Sequence, residues 1–124
     1  MERIELMPIG YVVNSCNKST HPDNIKQLES IIVVLPEYSD ALFGIEKCEY
    51  LDIIFYFHKQ DRVELVGMTI NNEMRGVFAS RSPLRPNGIG VTKVKVLRCM
   101  DNEIYVTGLD ALNGYPVLDI KATI

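Results

Sequence analysis

The stretch Ile89–Leu109, IGVTKVKVLRCMDNEIYVTGL, holds the clearest β-hairpin signal of this chain. Its first half alternates β-forming residues with lysines, in the order Thr92, Lys93, Val94, Lys95, Val96. A second β-rich run begins at Ile104, shortly after the polar turn pair Asp101-Asn102. A period of two is typical of a half-buried strand, so we expect the threonine and the two valines to face inward and the two lysines to face solvent.

Similar short β-rich runs, separated by turn residues, recur along the whole chain. The predicted strands are Ile4–Val13, Glu29–Leu35, Tyr50–His58, Arg62–Met68, Gly76–Ser80, Ile89–Met100, Glu103–Leu109 and Pro116–Lys121. The run DIIFYFH, residues 52–58, does not alternate, which predicts a central strand covered on both faces. So many short strands with few helices predict an all-β protein, a small antiparallel barrel that is closed or nearly closed, with one or two short helices.

Two segments stand apart from this β pattern. The stretch PEYSDALFGIE, residues 36–46, has Pro36 near its start and apolar residues on one side, and it is the one plausible helix. The stretch CNKSTHPDNIKQ, residues 16–27, is polar and rich in turn residues, which predicts a loop.

Length and composition narrow the class of protein. A chain of 124 residues predicts one domain, residues 1–124. Cys16, Cys48 and Cys99 are odd in number, widely spaced and without a C-x-x-C pair, which argues against a disulfide framework or a zinc site and fits a reducing cytosol. No signal peptide is evident, and the longest apolar runs have five residues, too few to span a membrane. We therefore expect a cytoplasmic protein with no membrane segment and no bound metal.

Charge is unevenly distributed along the chain. The net charge is −3, yet residues 75–98 contain six basic residues and no acidic one. The remainder holds seven basic residues against sixteen acidic ones. One concentrated basic segment on an acidic body indicates a local contact with an anionic ligand, whereas proteins that grip long nucleic acids usually carry an overall basic excess.

The sequence RGVFASRSPLRPNGIG, residues 75–90, has the composition of a preorganised binding loop. Pro83 and Pro86 each fix a φ angle and so lower the entropy of the loop before a ligand binds. The pair Asn87-Gly88 supplies a turn with positive φ. Arg81 and Arg85 offer planar guanidinium groups suited to carboxylates, phosphates or the face of a base. The alternative is that both arginines pair with acidic residues of the body.

Two further candidate sites are weaker on the residues alone. His58 and Lys59 end an apolar strand, where barrel strands often present side chains to a groove, but a lone histidine is equally often a hydrogen-bonded structural residue. Asp110 and Asn113 flank a turn closed by Gly114, and such residues favour turns through local hydrogen bonds. Either pair is equally compatible with ligand contact or with a structural role.

Long stretches of the chain resemble a known family. RGVFASRSPLRPNGIGVTKV, residues 75–94, and GLDALNGYPVLDIK, residues 108–121, are similar to the signature of the TsaA-like family of TrmO-type methyltransferases. The opening PIG, the stretch PEYSDALFGIE and the strand end FYFHK add to the resemblance, which covers nearly the whole chain. It implies a small antiparallel β-barrel that binds S-adenosyl-L-methionine and works as a homodimer, with cofactor sites near the subunit interface.

The resemblance also implies roles for individual residues. The positions that fall where family members contact the cofactor are His58, Lys59, Arg81, Val91, Asp110, Ala111, Leu112 and Asn113. Those expected to hold the site or meet the substrate are Arg85, Pro86 and Asn87, and the outward lysines Lys93 and Lys95 would extend a positive track for RNA. His58 and Asp110 are the candidates for a general base, with no choice made between them.

This sequence departs from the family pattern in two places. STHPDNIKQLE, residues 19–29, stands where relatives have a proline-arginine-glutamine element that helps hold the cofactor, and the DIKPY ending of the family reads DIKAT. The larger bacterial relatives also carry an additional C-terminal domain.

Three functions remain open on the sequence. The first is N6-methylation of threonylcarbamoyladenosine beside the anticodon of tRNA, with S-adenosyl-L-methionine as the methyl donor and the anticodon loop as partner. The second is methylation of a different substrate. The third is a dimeric module that binds S-adenosyl-L-methionine without catalysis.

Overall fold

Six antiparallel strands form a closed barrel in the computed structural model, which describes residues 1–18 and 21–124. The barrel strands are β1 Gly10–Val13, β2 Glu29–Val34, β3 Tyr50–Tyr56, β6 Ile89–Met100, β7 Glu103–Thr107 and β8 Pro116–Ala122. Their order around the barrel is β1-β2-β7-β6-β3-β8, and β8 pairs back with β1. Outside the barrel, β4 Val66–Met68 and β5 Met74–Gly76 pair as a short hairpin. The predicted all-β barrel is confirmed.

The β6–β7 hairpin pairs as predicted and carries the predicted alternation. Thr92 and Val94 are buried and Val96 packs partly buried against the core, while both lysines between them are exposed. Met100 pairs with Glu103 across a tight turn in which Asp101 has a φ of 53°. Because β6 pairs with both β3 and β7, the β6–β7 hairpin forms a large part of the barrel wall.

The prediction that residues 52–58 form a strand covered on both faces is wrong. Leu51, Ile53 and Phe55 point into the core, but Tyr50 and Tyr56 on the other face are exposed and Ile54 is only partly buried. Among the described residues, no second layer packs outside this part of the barrel wall, so the apolar residues on the outer face of the strand are left partly exposed. It also ends at Tyr56, two residues before the predicted end at His58.

Other strand boundaries differ from the prediction. The first strand begins at Gly10 instead of Ile4, and the predicted strand Arg62–Met68 is shortened to β4. The predicted strand Gly76–Ser80 is instead a 3-10 turn, Val77–Ala79, because the Ser80 amide and hydroxyl both donate to the Val77 carbonyl.

The helical segments are short. Within the predicted loop 16–27, Pro22–Lys26 forms the one-turn helix α1, capped by the His21 Nδ1 atom, which accepts from the Asp23 amide. Residues 19 and 20 of that loop lie outside the described residues. The predicted helix 36–46 is two 3-10 helices, Pro36–Leu42 and Ile45–Lys47, because Gly44 between them has a φ of 84° and breaks the helical path.

Side chains fill the barrel interior. Its buried members include Val12, Ile32, Leu51, Ile53, Phe55, Val94, Ile104, Val106, Leu109, Tyr115 and Val117. Small barrels of this size are packed with side chains and leave no central channel. A ligand therefore has to bind at an end of the barrel or outside it.

Candidate functional site

A pocket of about 230 Å³ lies at the end of the barrel where β3 finishes and β6 begins. The basic loop and the start of the 110–113 turn border it, so three separate parts of the chain meet there. Its lining residues are Phe55, Phe57, Ser80, Arg81, Arg85, Ile89, Gly90, Val91, Thr92 and Asp110.

The basic loop is held by its own arginine. Arg85 is half-buried, and its guanidinium donates to the carbonyl oxygens of Ser80 at 3.1 Å, Val77 at 3.2 Å and Ser82 at 3.3 Å. At the end of the loop Asn87 has a φ of 69°, and the chain then enters β6. The predicted positive-φ turn is therefore present, and the loop conformation is fixed from within.

Arg81 lies in the same loop but is exposed. Its Nη2 atom donates to the carbonyl oxygen of Val91 on β6, which holds the guanidinium across the pocket. Over residues 1–18 and 21–124, neither Arg81 nor Arg85 forms an ion pair. Pairing of these arginines with acidic residues of the body, the alternative raised by the sequence, is not what the structure shows.

An acidic residue lies in the same pocket. Thr92 on β6 donates its hydroxyl to Oδ1 of Asp110 at 2.6 Å, which orients the carboxylate at the start of the 110–113 turn. The pocket therefore presents the positive charge of Arg81 and the negative charge of Asp110 at once. A ligand with both an anionic and a cationic group would find a partner for each.

Aromatic rings form the floor of the pocket. The ring centroids of Phe55 and Phe57 are 5.1 Å apart in an edge-to-face arrangement, and Phe57 in turn packs on Tyr115 at 5.9 Å. Gly90 permits this packing, because a Cβ atom there would lie 2.8 Å from Phe57 Cζ and 2.9 Å from Phe55 Cζ. The floor supplies an apolar surface on which a planar or aliphatic ligand group can rest.

His58 and Lys59 lie beside this floor, near the 110–113 turn. His58 packs edge-to-face on Tyr115, with ring centroids 5.1 Å apart. Partial burial, and to a lesser degree the positive charge of Lys59, lower the pKa of His58 from its usual 6.5. The imidazole is therefore neutral at pH 7 and can accept a proton. Lys59 Nζ donates to the carbonyl oxygen of Asn113 at 3.3 Å, so these two predicted site residues are in contact.

The middle of the 110–113 turn is buried. Ala111 and Leu112 are 0% and 5% exposed, with their side chains in the core. Most of the accessible surface of this turn therefore belongs to Asp110 and Asn113, which are half-buried. Asn113 is held to the segment after β1, since its amide donates to the Cys16 carbonyl at 2.8 Å.

The structure separates the predicted substrate residues from one another. Arg85 lines the pocket, whereas Asn87 is exposed at the loop turn. Lys93 and Lys95 lie on the outer face of β6, and Lys93 Nζ lies 4.5 Å from the centroid of the Tyr50 ring. These lysines lie outside the pocket lining and form a basic surface on β6, in which Asp52 of β3 is the cross-strand neighbour of Lys93.

Sequence reasoning did not single out Phe57, Ser80 or Asn14 as site residues. Phe57 was assigned to a strand, and Ser80 was placed in a strand that the structure does not contain. Asn14 is 99 residues from Asn113 along the chain, yet its amide donates to the Asn113 Oδ1 atom at 3.0 Å. No local pattern signals a contact over that separation.

Within residues 1–18 and 21–124, no group of three or more histidine, cysteine, aspartate or glutamate residues is arranged to hold a metal ion. In the same part of the chain, no helix has both the length and the apolar character needed to cross a membrane.

Fold and pocket together define a class: closed six-stranded antiparallel barrels with a mixed-charge ligand pocket at one end. The chain belongs to the family of the tRNA-methyltransferase O N-terminal domain, whose family model matches residues 14–124. The resemblance seen in the sequence is thereby confirmed.

Curated proteins and solved structures agree with this assignment. A "Probable S-adenosyl-L-methionine-binding protein" of Methanothermobacter thermautotrophicus is 42% identical over 122 residues, which cover 95% of this chain and 88% of that protein. The human "tRNA (adenine(37)-N6)-methyltransferase" is 40% identical over 90 residues, covering 69% of this chain and 20% of that protein. The crystal structure of TrmO from Pseudomonas aeruginosa superposes with a TM-score of 0.80 at 29% identity and 99% coverage of this chain. This chain spans 57% of that TrmO chain.

Proposed function

We propose that this domain binds S-adenosyl-L-methionine at the end-of-barrel pocket and transfers its methyl group to tRNA. The acceptor that we propose is N6 of threonylcarbamoyladenosine beside the anticodon. Family membership supports the methyltransferase class and the use of S-adenosyl-L-methionine. An enzyme that modifies tRNA acts where tRNA is found, so the cytoplasm stays our predicted location.

The observation that carries the proposal is the presence of Arg81 and Asp110 in one pocket above an aromatic floor. The methionine end of S-adenosyl-L-methionine has a carboxylate and an ammonium group, which match a guanidinium and a carboxylate, respectively. The adenine and sulfonium groups fit apolar and aromatic surfaces such as Phe55 and Phe57. The residues present therefore fit the cofactor, with Val91 as a further contact in the pocket lining.

When bound, S-adenosyl-L-methionine supplies an activated methyl group on its sulfonium sulfur. The chain's own part is to bind and orient both reactants and to exclude water, which accounts for much of the rate in reactions of this kind. The accepting N6 must also lose a proton. His58, neutral at pH 7, and Asp110, held by Thr92, are the residues near the pocket that can accept it.

The outer face of β6 supports an RNA partner. Lys93 and Lys95 are exposed there, and the Tyr50 ring beside Lys93 adds an aromatic surface. Basic side chains next to an aromatic ring are typical of surfaces that bind single-stranded nucleic acid. Together with Asn87 at the loop turn, this face would guide the anticodon loop toward the pocket.

The β4–β5 hairpin supports the homodimer. Its exposed large apolar residues, with those of the flanking segments, are Val63, Leu65, Val66, Met68, Ile70, Met74 and Phe78. Exposed apolar residues concentrated in one segment favour an interface over a face left in solvent. A groove of about 720 Å³ lies between this hairpin and the basic loop, and Ser80 and Arg81 border both groove and pocket. A second copy bound in this groove would lie beside the cofactor. The pocket of one copy is too small to enclose the cofactor, so a second copy would help to cover it.

The test begins with calorimetric titration of S-adenosyl-L-methionine into the purified chain at low salt. We expect saturable binding that Arg81→Ala abolishes while the fold, judged by circular dichroism, stays intact. Arg98→Ala is the matched control, because Arg98 is an exposed arginine that pairs with Glu29 at 2.7 Å and lies outside both the pocket and the groove. Unchanged affinity in Arg81→Ala would show that the pocket is wrongly placed.

The second stage assigns the substrate. Transfer of a labelled methyl group is measured on tRNA with and without the threonylcarbamoyl group, and the modified nucleoside is identified by mass spectrometry. Methylation that requires this group supports the proposed acceptor, and RNA binding that weakens steeply with salt supports the basic surface. Cofactor binding with no transfer to either RNA would favour the binding module, the role that the name of the Methanothermobacter thermautotrophicus relative gives to that protein.

A further inference from the structure

Asn14, the residue directly after β1, joins three parts of the chain through hydrogen bonds. Its Nδ2 atom donates to the Ala111 carbonyl at 3.0 Å and to the Ser30 hydroxyl at 3.1 Å. Its Oδ1 atom accepts from the Cys16 amide at 3.0 Å. Its own backbone amide donates to Oδ1 of Asn113, also at 3.0 Å. Asn14 thus contacts two residues of the 110–113 turn, one residue of β2 and one residue of its own loop.

The chemistry of this network requires an asparagine. The carboxamide provides two donor hydrogens and one acceptor oxygen in a plane, and all three functions are used here. Aspartate has the same shape but no donor for the Ala111 carbonyl, and alanine has neither group. Ser30 is 0% exposed, so the carboxamide is held from the core side by a fixed partner.

The turn that Asn14 holds borders the cofactor site proposed above. Ala111 is 0% exposed, so Asn14 holds this turn at a buried point, through the Ala111 carbonyl. Asp110, next to it, lines the pocket. Asn14 is absent from the pocket lining, so any effect that it has on a ligand passes through the turn.

We infer that Asn14 is a positioning residue that sets the geometry of residues 110–113 for S-adenosyl-L-methionine. This inference rests on the proposed function, because it takes that turn to be part of the cofactor site. The first part of the inference, that Asn14 orders the turn, does not depend on a ligand and is tested separately.

The experiment compares Asn14→Ala with Asn102→Ala in the full chain. Asn102 is a matched control, since its Nδ2 atom also donates to a backbone carbonyl at a strand end, that of Val34, and it lies at the opposite end of the barrel. Both variants lose a half-buried carboxamide and a hydrogen bond to the main chain. Two quantities are measured: hydrogen exchange of the amides of residues 111–115 without ligand, and affinity for S-adenosyl-L-methionine by calorimetry.

We expect Asn14→Ala to accelerate exchange in the turn and to weaken cofactor affinity by up to about tenfold, the scale of one lost hydrogen bond. Asn102→Ala should leave both quantities at wild-type values. Equal affinity in Asn14→Ala and wild type, or an equal loss in both variants, would overturn the inference. If wild type itself does not bind, the proposed function fails, while the exchange data still decide whether Asn14 orders the turn.

Asn14→Asp provides a second variant if Asn14→Ala does not fold. It keeps the size of the side chain and the acceptor for the Cys16 amide, but it places a carboxylate oxygen against the Ala111 carbonyl. We expect faster exchange in the turn and weaker cofactor binding in this variant too. Wild-type values for both would contradict the positioning role.

Discussion

Arg81 and Arg85 are four residues apart in one loop, yet the two arginine side chains have different roles. The guanidinium of Arg85 donates to three loop carbonyls and so stabilises the conformation of the loop. That of Arg81 donates to a single carbonyl and remains exposed at the pocket. Of the two roles that the sequence left open for Arg85, holding the site is the one that these contacts support.

His58 leads to a prediction at the same scale. Its pKa is lowered in the folded protein, so the unfolded chain binds the proton more readily. The contribution of this group to stability is therefore complete above pH 6.5 and is lost as the pH falls toward the lowered value. If His58 is the base, the methyl-transfer rate at saturating substrate should fall over the same acidic range, and His58→Gln should be slow and lack this pH-dependent limb.

The measurement is a set of single-turnover rates from pH 5 to pH 8, with circular dichroism confirming the fold at each pH. Asp61→Asn serves as a nearby control, because Asp61 is exposed and the change leaves the imidazole and the Tyr115 ring in place. A wild-type rate and pH profile in His58→Gln would exclude His58 as the base and leave Asp110 as the candidate.

At the scale of elements, the pairing of β1 with β2 leads to a stability prediction. A Cβ atom on Gly10 would lie 2.2 Å from the Val33 carbonyl oxygen, which belongs to the backbone of the neighbouring strand. Gly10→Ala must therefore push the two strands apart, and we expect it to cost about 1–3 kcal/mol or more. Denaturant unfolding, followed by tyrosine fluorescence, measures this cost.

Gly67→Ala in β4 is the control, because a Cβ atom there has no neighbour within 4 Å among the described residues. Its unfolding free energy should stay within about 0.5 kcal/mol of wild type. Similar unfolding midpoints for the two variants would mean that β1 and β2 are not paired as closely as described.

At the scale of the whole molecule, the exposed β4–β5 hairpin predicts self-association. Met68 and Met74 pair across this hairpin and are 61% and 62% exposed. A lysine buried at an interface costs desolvation energy, so Met68→Lys should weaken the homodimer roughly tenfold or more, as loss of an interface hot spot does. Sedimentation equilibrium over a range of protein concentrations gives the dissociation constants.

Met100→Lys is the matched control for the dimer. Met100 is 56% exposed but lies at the β6–β7 turn, at the other end of the barrel. The Met100→Lys substitution should therefore leave the dissociation constant unchanged. A wild-type chain that is monomeric at all concentrations, or equal weakening by both substitutions, would contradict an interface at the β4–β5 hairpin.

The sequence by itself determined the all-β class, the β6–β7 hairpin and the positive-φ turn at Asn87, because alternation and turn chemistry act over a few neighbouring residues. Its long motifs determined the family. Only the tertiary structure decided that the outer face of β3 is uncovered and that Arg81, Thr92 and Asp110 share one pocket. It alone joined Asn14 to Asn113, 99 residues apart. Barrel closure brings such residues together, and closure depends on the pairing of all six strands, which no local pattern records.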